Sequence, residues 1–479
     1  MPELSRNRRL LVLAICCMSL LIVGMDVTIV NVALPSLSKD LHSSLSGLQW
    51  TLDAYTLVLA SLLVLSGSTA DRLGRRRIFQ TGLAVFTLGS LLCSIAPGLG
   101  WLVAFRMVQA VGGSMLNPVA MSIITNVFTD RRERAFAIGV WGGVVGISLG
   151  LGPIVGGLLI ETVGWRGIFW INIPIGLTAL VLTALFVPES RAPRARRPDP
   201  VGQVFVVVAL AALTYAIIEA PRRGWTAPST LALIVVSVLS AVLLAWYESR
   251  RAEPLIDPRF FHSVPFAGAT VTAVCAFGAF SGFLFLNTLY LQDVRGYSAL
   301  VAGVCTLPLA LAAMIFAPLS GRLVGTRGPR LPLLLAGGCM VAGALMLLRM
   351  DVDTAMLWVG VSYAVYGVGF GMVNAPITNS AVSGMPNSQA GVAAAIASTS
   401  RQVGATLGVA VVGSVLNSGL AGQSVATGFA TASAPAWWVI IGCGLAVLVL
   451  GAVTTGRWAR STAGRAAHLF DDEPRLVPT

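Results

Sequence analysis

Fourteen times along this chain an apolar stretch of roughly 20 residues recurs between Gly, Pro or Arg breaks, and about 20 apolar residues is the helix length that crosses the hydrocarbon core of a bilayer. The stretches run over 10–34, 48–70, 78–97, 101–126, 135–160, 166–187, 201–220, 229–248, 266–291, 299–324, 331–350, 354–378, 390–417 and 435–457. Backbone amides in hydrocarbon find no water, so each stretch must satisfy its own hydrogen bonds as a helix. The expected fold is an all-α polytopic membrane protein. A mean hydropathy of +0.82, with 56% hydrophobic and 11% charged residues, excludes the soluble globular class.

Cytoplasmic loops of helical membrane proteins carry an excess of Arg and Lys. Alternating the connections between two sides puts 24 of the 32 basic residues on the side of both termini and six on the other, with Arg106 and Arg401 inside spans. Both termini are therefore expected in the cytoplasm. The net charge of +12 belongs to this asymmetry, because neither zinc-finger spacing nor an aromatic-interleaved basic face points to nucleic acid. The run after Arg6, Arg8 and Arg9 is too long for a signal-peptide core and lacks an A-x-A site, so it is expected to stay as the first helix. Seven cysteines without C-x-x-C spacing read as apolar filler, and no metal site is expected.

The chain also repeats itself. GSTADRLGRRR at 67–77 has a degenerate counterpart in GRLVGTRGPR at 321–330, and GGSMLNP at 112–118 echoes GFGMVNAP at 369–376. The offset of 254 residues corresponds to a six-helix unit plus the two helices at 201–248. This predicts a six-helix bundle over 1–190, a linker with two additional helices over 191–260, a second six-helix bundle over 261–458 and a cytoplasmic tail over 459–479. Parallel repeats place a substrate site near mid-membrane between them. The additional pair, flanked by Arg-rich segments, reads as an insertion outside the transport core.

Charges inside spans are costly and mark function by default. Asp26, in LLIVGMDVTIVNVALP, stands at the centre of the first span. Arg106, in FRMVQAVGG, is expected to face inward and act on the proton of a nearby acid, with snorkelling from the outer end as the alternative. Asp53 sits about one turn inside the outer end of the second span, where it reads equally as a water-reached proton relay or an interfacial acid. Arg401, among Ser398, Ser400 and Gln402, is open between structural pairing and substrate contact.

In the loop after the second span, Gly67, Asp71, Arg72, Gly74, Arg75 and Arg76 form an ordered set in which Asp71 is expected to cap the next helix and pair with an arginine. That makes a polar latch, a cytoplasmic gate that would have to break when its side opens. In the fifth span, small residues at Gly143, Gly146, Gly150, Gly152, Gly156 and Gly157 permit close helix approach, and Pro153 supplies a kink. GISLG there also fits the hydrolase G-x-S-x-G pattern, but an elbow needs a strand-turn-helix setting that a long span does not offer.

TIVNVALP, DRLGRRR, RMVQAVGG and GLGPIVGG, with RQVGATLGVAVVGSVL near the end, resemble the fourteen-helix drug:proton antiporters of the major facilitator superfamily over essentially the whole chain. The resemblance implies two six-helix bundles plus two extra central helices, in the cytoplasmic (inner) membrane of a bacterium. It puts Asp26 on the family's first-helix acid, Arg106 on its fourth-helix arginine, and Gly150, Gly152, Pro153, Gly156 and Gly157 on its antiporter motif. Spans ten to thirteen lack the acid that some exporters of dications carry.

The expected activity is proton-driven export of hydrophobic or amphipathic small molecules by a monomer in contact with membrane lipids, with no cofactor. Asp26 would take a proton outside and release it inside, with proton and cargo competing for, or coupling through, this one site. A cavity wall is sought among Tyr55, Trp141, Phe283, Phe285, Asn287, Tyr290, Tyr363, Tyr366, Asn374, Asn379 and Arg401, each of which has a packing or lipid-facing alternative. The rivals are a dedicated metabolite exporter or proton-coupled importer on the same scaffold, and a membrane-embedded hydrolase, which lacks H-E-x-x-H and a plausible triad.

Overall fold

A computed structural model describes residues 5–192, 199–251, 254–386 and 389–470. Arg194, Arg196 and Arg197 of the linker and residues 471–479 of the tail lie outside the described residues. Thirteen helices among the described residues are long and apolar enough to cross a membrane, and none of the described residues forms a strand. The eleventh expected stretch is a shorter helix of 17 residues, because the chain leaves the helix at Leu347, ahead of Arg349.

The N-terminal half consists of α1 (Arg6–Asp40), α2 (Leu45–Leu73), α3 (Arg75–Ser94), α4 (Leu99–Val127), α5 (Arg131–Val163), α6 (Gly167–Trp170) and α7 (Asn172–Phe186). Next come α8 (Pro200–Arg223) and α9 (Pro228–Glu248). The C-terminal half holds α10 (Val264–Leu289), α11 (Ala299–Cys305), α12 (Leu307–Arg327), α13 (Arg330–Met346), α14 (Met356–Ser383), α15 (Ala390–Leu420) and α16 (Val425–Val453), and α17 (Arg457–His468) follows.

Short polar residues and glycines set the helix ends. Asp130 accepts from the amides of Arg132 and Glu133 at the start of α5, and Ser44 from that of Gly47 at the start of α2, satisfying N–H groups that have no partner within the helix. Gly74 ends α2 with a φ of +119°, a backbone region that L side chains rarely adopt, and so permits the abrupt entry into α3. The span over 166–187 breaks at Ile171, three residues before Pro174 withholds its amide, leaving Asn172 at the head of α7.

The sequence repeat is repeated in packing. In the N-terminal half α1 lies on α5 and α7, α2 on α4, and α3 on α4 and α7; in the C-terminal half α10 lies on α15 and α16, α12 on α14, and α13 on α14 and α16. α10 and α15 approach backbone to backbone: a Cβ on Gly404 or Gly408 would collide with the main chain of Val274 or Gly278. The halves meet where α2 lies on α15 and α5 on α11 and α12. α8 is built into that assembly, packing on both α2 and α15, with Gln203 Nε2 bonded to the Ser61 carbonyl. α9 covers α8 and exposes an apolar outer face, including Val238, Val242 and Trp246.

Hydrogen bonds joining the halves lie from mid-membrane toward the end opposite the termini. Gln49 Nε2 donates to the carbonyls of Val409 and Ala410, Thr406 Oγ1 donates to Thr56 Oγ1, Gln292 Nε2 donates to the Val32 carbonyl, and the Leu300 amide donates to Glu161 Oε1. Toward the terminal end Phe136 and Ile138 of α5 and Ile315 and Leu319 of α12 are exposed, and Gly139, Gly142, Gly321 and Gly325 face open space.

Candidate functional site

Asp26 is fully buried at the middle of α1, turned into the N-terminal half and away from the seam between the halves. Arg106 NH1 lies 2.5 Å from its Oδ2, while Gln109 Nε2 (2.8 Å) and Asn172 Nδ2 (3.1 Å) donate to Oδ1. Arg106 NH1 also donates to Gln109 Oε1 at 2.7 Å, and its guanidinium lies 4.1 Å from the centre of the Tyr55 ring. Gln109 Nε2 donates further to Ser90 Oγ at 2.8 Å. Both buried charges are therefore paired and hydrogen-bonded, the condition under which a low-dielectric interior retains them. Snorkelling is excluded, since Arg106 is 1% exposed.

Gln109, Asn172 and Ser90 were absent from the sequence-derived site. Gln109 carried a signal, because its i, i+3 spacing from Arg106 puts both on one face of α4. Asn172 did not, since only the break before α7 brings it to Asp26.

Asp53 departs from expectation. It is fully buried, and neither carboxylate oxygen has a hydrogen-bond partner among the described residues. Gln49 and Thr56, about one turn to either side, are engaged with α15, so contact between the halves covers the end of α2 where water was expected.

The loop after α2 also differs from the expected gate. Asp71 Oδ1 accepts from Arg75 Nε (3.0 Å) and NH2 (2.9 Å). Glu189, after α7, takes the capping role at the start of α3, accepting from the Arg76 amide at 3.1 Å. Its carboxyl occupies the space where a Cβ on Gly74 would stand. Arg76 NH2 donates to the Ala184 carbonyl, and Arg72 is exposed. Gly67 faces Pro118 of α4. All these bonds lie within the N-terminal half, so they do not join it to the C-terminal half.

The glycines of α5 face two ways. A Cβ on Gly152 would collide with Thr28 Oγ1, and one on Gly156 with Ile29, both on α1. On the other side Gly157 meets the backbone of Leu300, Gly150 meets Ala310, and Gly303 meets the Pro153 carbonyl. α5 thus sits directly between α1 and the C-terminal half.

Beside it lies a small, largely apolar cavity of about 30 Å³, lined by Thr28, Asn31 and Val32 of α1, Leu149 and Pro153 of α5, Phe280, Phe283, Leu284 and Asn287 of α10, and Phe370 of α14, among others. Of the wall sought in the sequence, Phe283 and Asn287 line it. Tyr363 and Tyr366 stand behind, Tyr363 Oη donating to Asn287 Oδ1 at 2.6 Å and Tyr366 stacked on Phe283 at 4.1 Å. Tyr55 is turned to Arg106, Phe285 is buried, and Tyr290 Oη donates to the Asp351 carbonyl at the end opposite the termini, so these three belong to packing rather than to the wall. Trp141 and Asn374 are half-buried, and Asn379 is exposed.

Arg401, half-buried on α15, donates through NH1 to Ser398 Oγ (3.0 Å) and through NH2 to Thr378 Oγ1 (2.5 Å), while its buried Nε has no partner among the described residues. Its guanidinium lies 5.9 Å from the centre of the Phe277 ring.

The sequence matches the family model described as Major Facilitator Superfamily over residues 16–409. It is 38% identical to "Multidrug resistance protein Stp" of Mycobacterium tuberculosis over 408 residues, 85% of this chain and 76% of that protein. It is 36% identical over 399 residues to the "Tetracenomycin C resistance and export protein" of Streptomyces glaucescens, covering 83% and 74%. A solved bacterial homologue of the human lysosomal transporter Spinster, in an inward-facing and occupied conformation, superposes with a TM-score of 0.66 at 17% identity, covering 99% of this chain and 100% of that one. The chain belongs to the major facilitator superfamily, as a multi-pass transporter of the bacterial inner membrane and not an enzyme.

Proposed function

We propose that the chain is a proton-coupled antiporter of fourteen spans, with both termini in the cytoplasm, that exports hydrophobic or amphipathic small molecules, drugs and antibiotics among them, by alternating access. It acts as a monomer, without a cofactor, on the proton gradient alone. The observation that carries the reading is the mid-membrane cluster of Asp26, Arg106, Gln109 and Asn172, in which Asp26 shares α1 with cavity-lining Thr28 and Asn31. The printed names of the relatives, multidrug resistance and antibiotic export, support drugs as cargo. Seam bonds placed away from the terminal end support a state open to the cytoplasm.

Protonating Asp26 removes the charge that holds Arg106. Leaving one member of a buried ion pair alone costs about 3–5 kcal/mol, enough to shift α1 and α4 between two arrangements. Asp26 does not line the cavity, so proton and cargo communicate through movement of α1 rather than by contending for one carboxylate. One charge crossing 100 mV yields about 2.3 kcal/mol, which sustains roughly a 50-fold gradient of a neutral substrate.

The test is uptake of a fluorescent lipophilic dye into inverted membrane vesicles. Uptake that follows an imposed pH gradient, and collapses when an ionophore dissipates it, is the expected result. Uptake indifferent to the gradient contradicts proton coupling.

A further inference from the structure

α10 to α16 contain no Asp or Glu. Their basic residues are Arg322, Arg327 and Arg330 at the terminal end, and Arg401 within α15. Among the described residues no carboxylate lies within ion-pair distance of Arg401, and only two of the five N–H donors of its guanidinium find acceptors, both of them uncharged hydroxyls. Asp26 is engaged elsewhere, and Asp53 is level with residues 406–409 of α15, more than a helical turn away. Thr378 and Ser398 fix the direction of the guanidinium without neutralising it.

An aromatic wall leads from this charge to the cavity. Phe277, beneath Arg401, packs edge-on to Phe370 at 5.3 Å, and Phe370 is stacked on Phe280 at 3.7 Å. Phe280 and Phe370 both line the cavity.

We propose that Arg401 anchors the anionic group of the substrate, and that the C-terminal wall of the cavity selects planar aromatic monoanions such as carboxylates, phenolates or enolates. The ring lies along Phe280 and Phe370, and the anion meets the free edge of the guanidinium, where a charge-assisted bond is stronger than one between neutral groups. The bound anion supplies the counter-charge that no carboxylate among the described residues gives Arg401. The proposal rests on the export reading and names its substrate class.

The test compares three probes that share one ring: 1-naphthylacetate, its neutral methyl ester, and 1-naphthylmethylammonium. Each is titrated into the purified full chain. The acetate is expected to bind most tightly, and Arg401→Gln to weaken it by about 10- to 100-fold while leaving the ester unchanged. Arg401→Lys and Thr378→Val, which keep the cation, are expected to preserve the order of the three probes even if Arg401→Gln does not fold. The proposal is overturned if the ester or the ammonium matches the acetate on the wild type, or if Arg401→Gln leaves acetate binding intact or weakens all three alike. Acetate preference lost on Arg401→Gln, combined with no gradient-driven movement of any probe in vesicles, upholds the Arg401 site and overturns the export reading instead.

Discussion

In the N-terminal half, Asp26 and Arg106 meet in mid-membrane and are bonded by Gln109 and Asn172; in the C-terminal half, Arg401 lies within α15, and among the described residues its guanidinium is bonded to two hydroxyls and faces a phenyl ring. The same helix-on-helix plan serves both halves, so the contrast lies in side chains and not in architecture. It teaches a division of labour. On the proposed mechanism, one half holds a charge pair that a proton would break, and the other would offer aromatic surface and the Arg401 charge to cargo.

The contrast can be broken by thermal unfolding. Arg106→Ala strands Asp26 in the interior and is expected to cost about 3–5 kcal/mol. Arg401→Ala removes a cation bonded only to hydroxyls, so its expected cost is about 1–2 kcal/mol. Equal losses would erase the difference between the halves.

Gly152→Val sharpens the comparison at the joint between them. Its side chain must displace Thr28, and such overpacking costs about 1–3 kcal/mol. Transport in vesicles should fall further than the shift in melting temperature accounts for, because α5 sits between α1 and the C-terminal half. Transport that falls only in step with stability would reduce the glycine to a packing residue.

The smallest effect belongs to the loop after α2. Asp71 and Arg75 form a partly exposed pair across the Gly74 break, worth about 0.2–1 kcal/mol. Asp71→Asn should leave melting almost unchanged and transport largely intact, since the pair lies within one half. A large loss of transport would restore the gate that opens and closes with each cycle.

Hydropathy and repeats made the fold legible, because a lipid solvent leaves a chain few options. Asp26 and Arg106 were legible as charges out of place, and the α5 glycines as a stripe of small residues. What stayed hidden depends on three dimensions. Asn172 reaches Asp26 only through the break before α7, and Glu189 reaches the start of α3 from the far end of the half. Asp53 looked wet because its place along α2 is near an end, but α15 covers that end. Similarly, α8 looked peripheral in a linker, yet it packs on both halves at their seam.

The central claim is that the proton is handled at Asp26, away from the cargo. Wild type and Asp26→Asn should be compared at matched expression in inverted vesicles, with pH-driven dye uptake and dye-for-dye exchange measured on the same preparation. On this claim, driven uptake is lost while exchange persists, since Asp26 does not line the cavity. Driven uptake equal to wild type, or loss of both activities together, would contradict it.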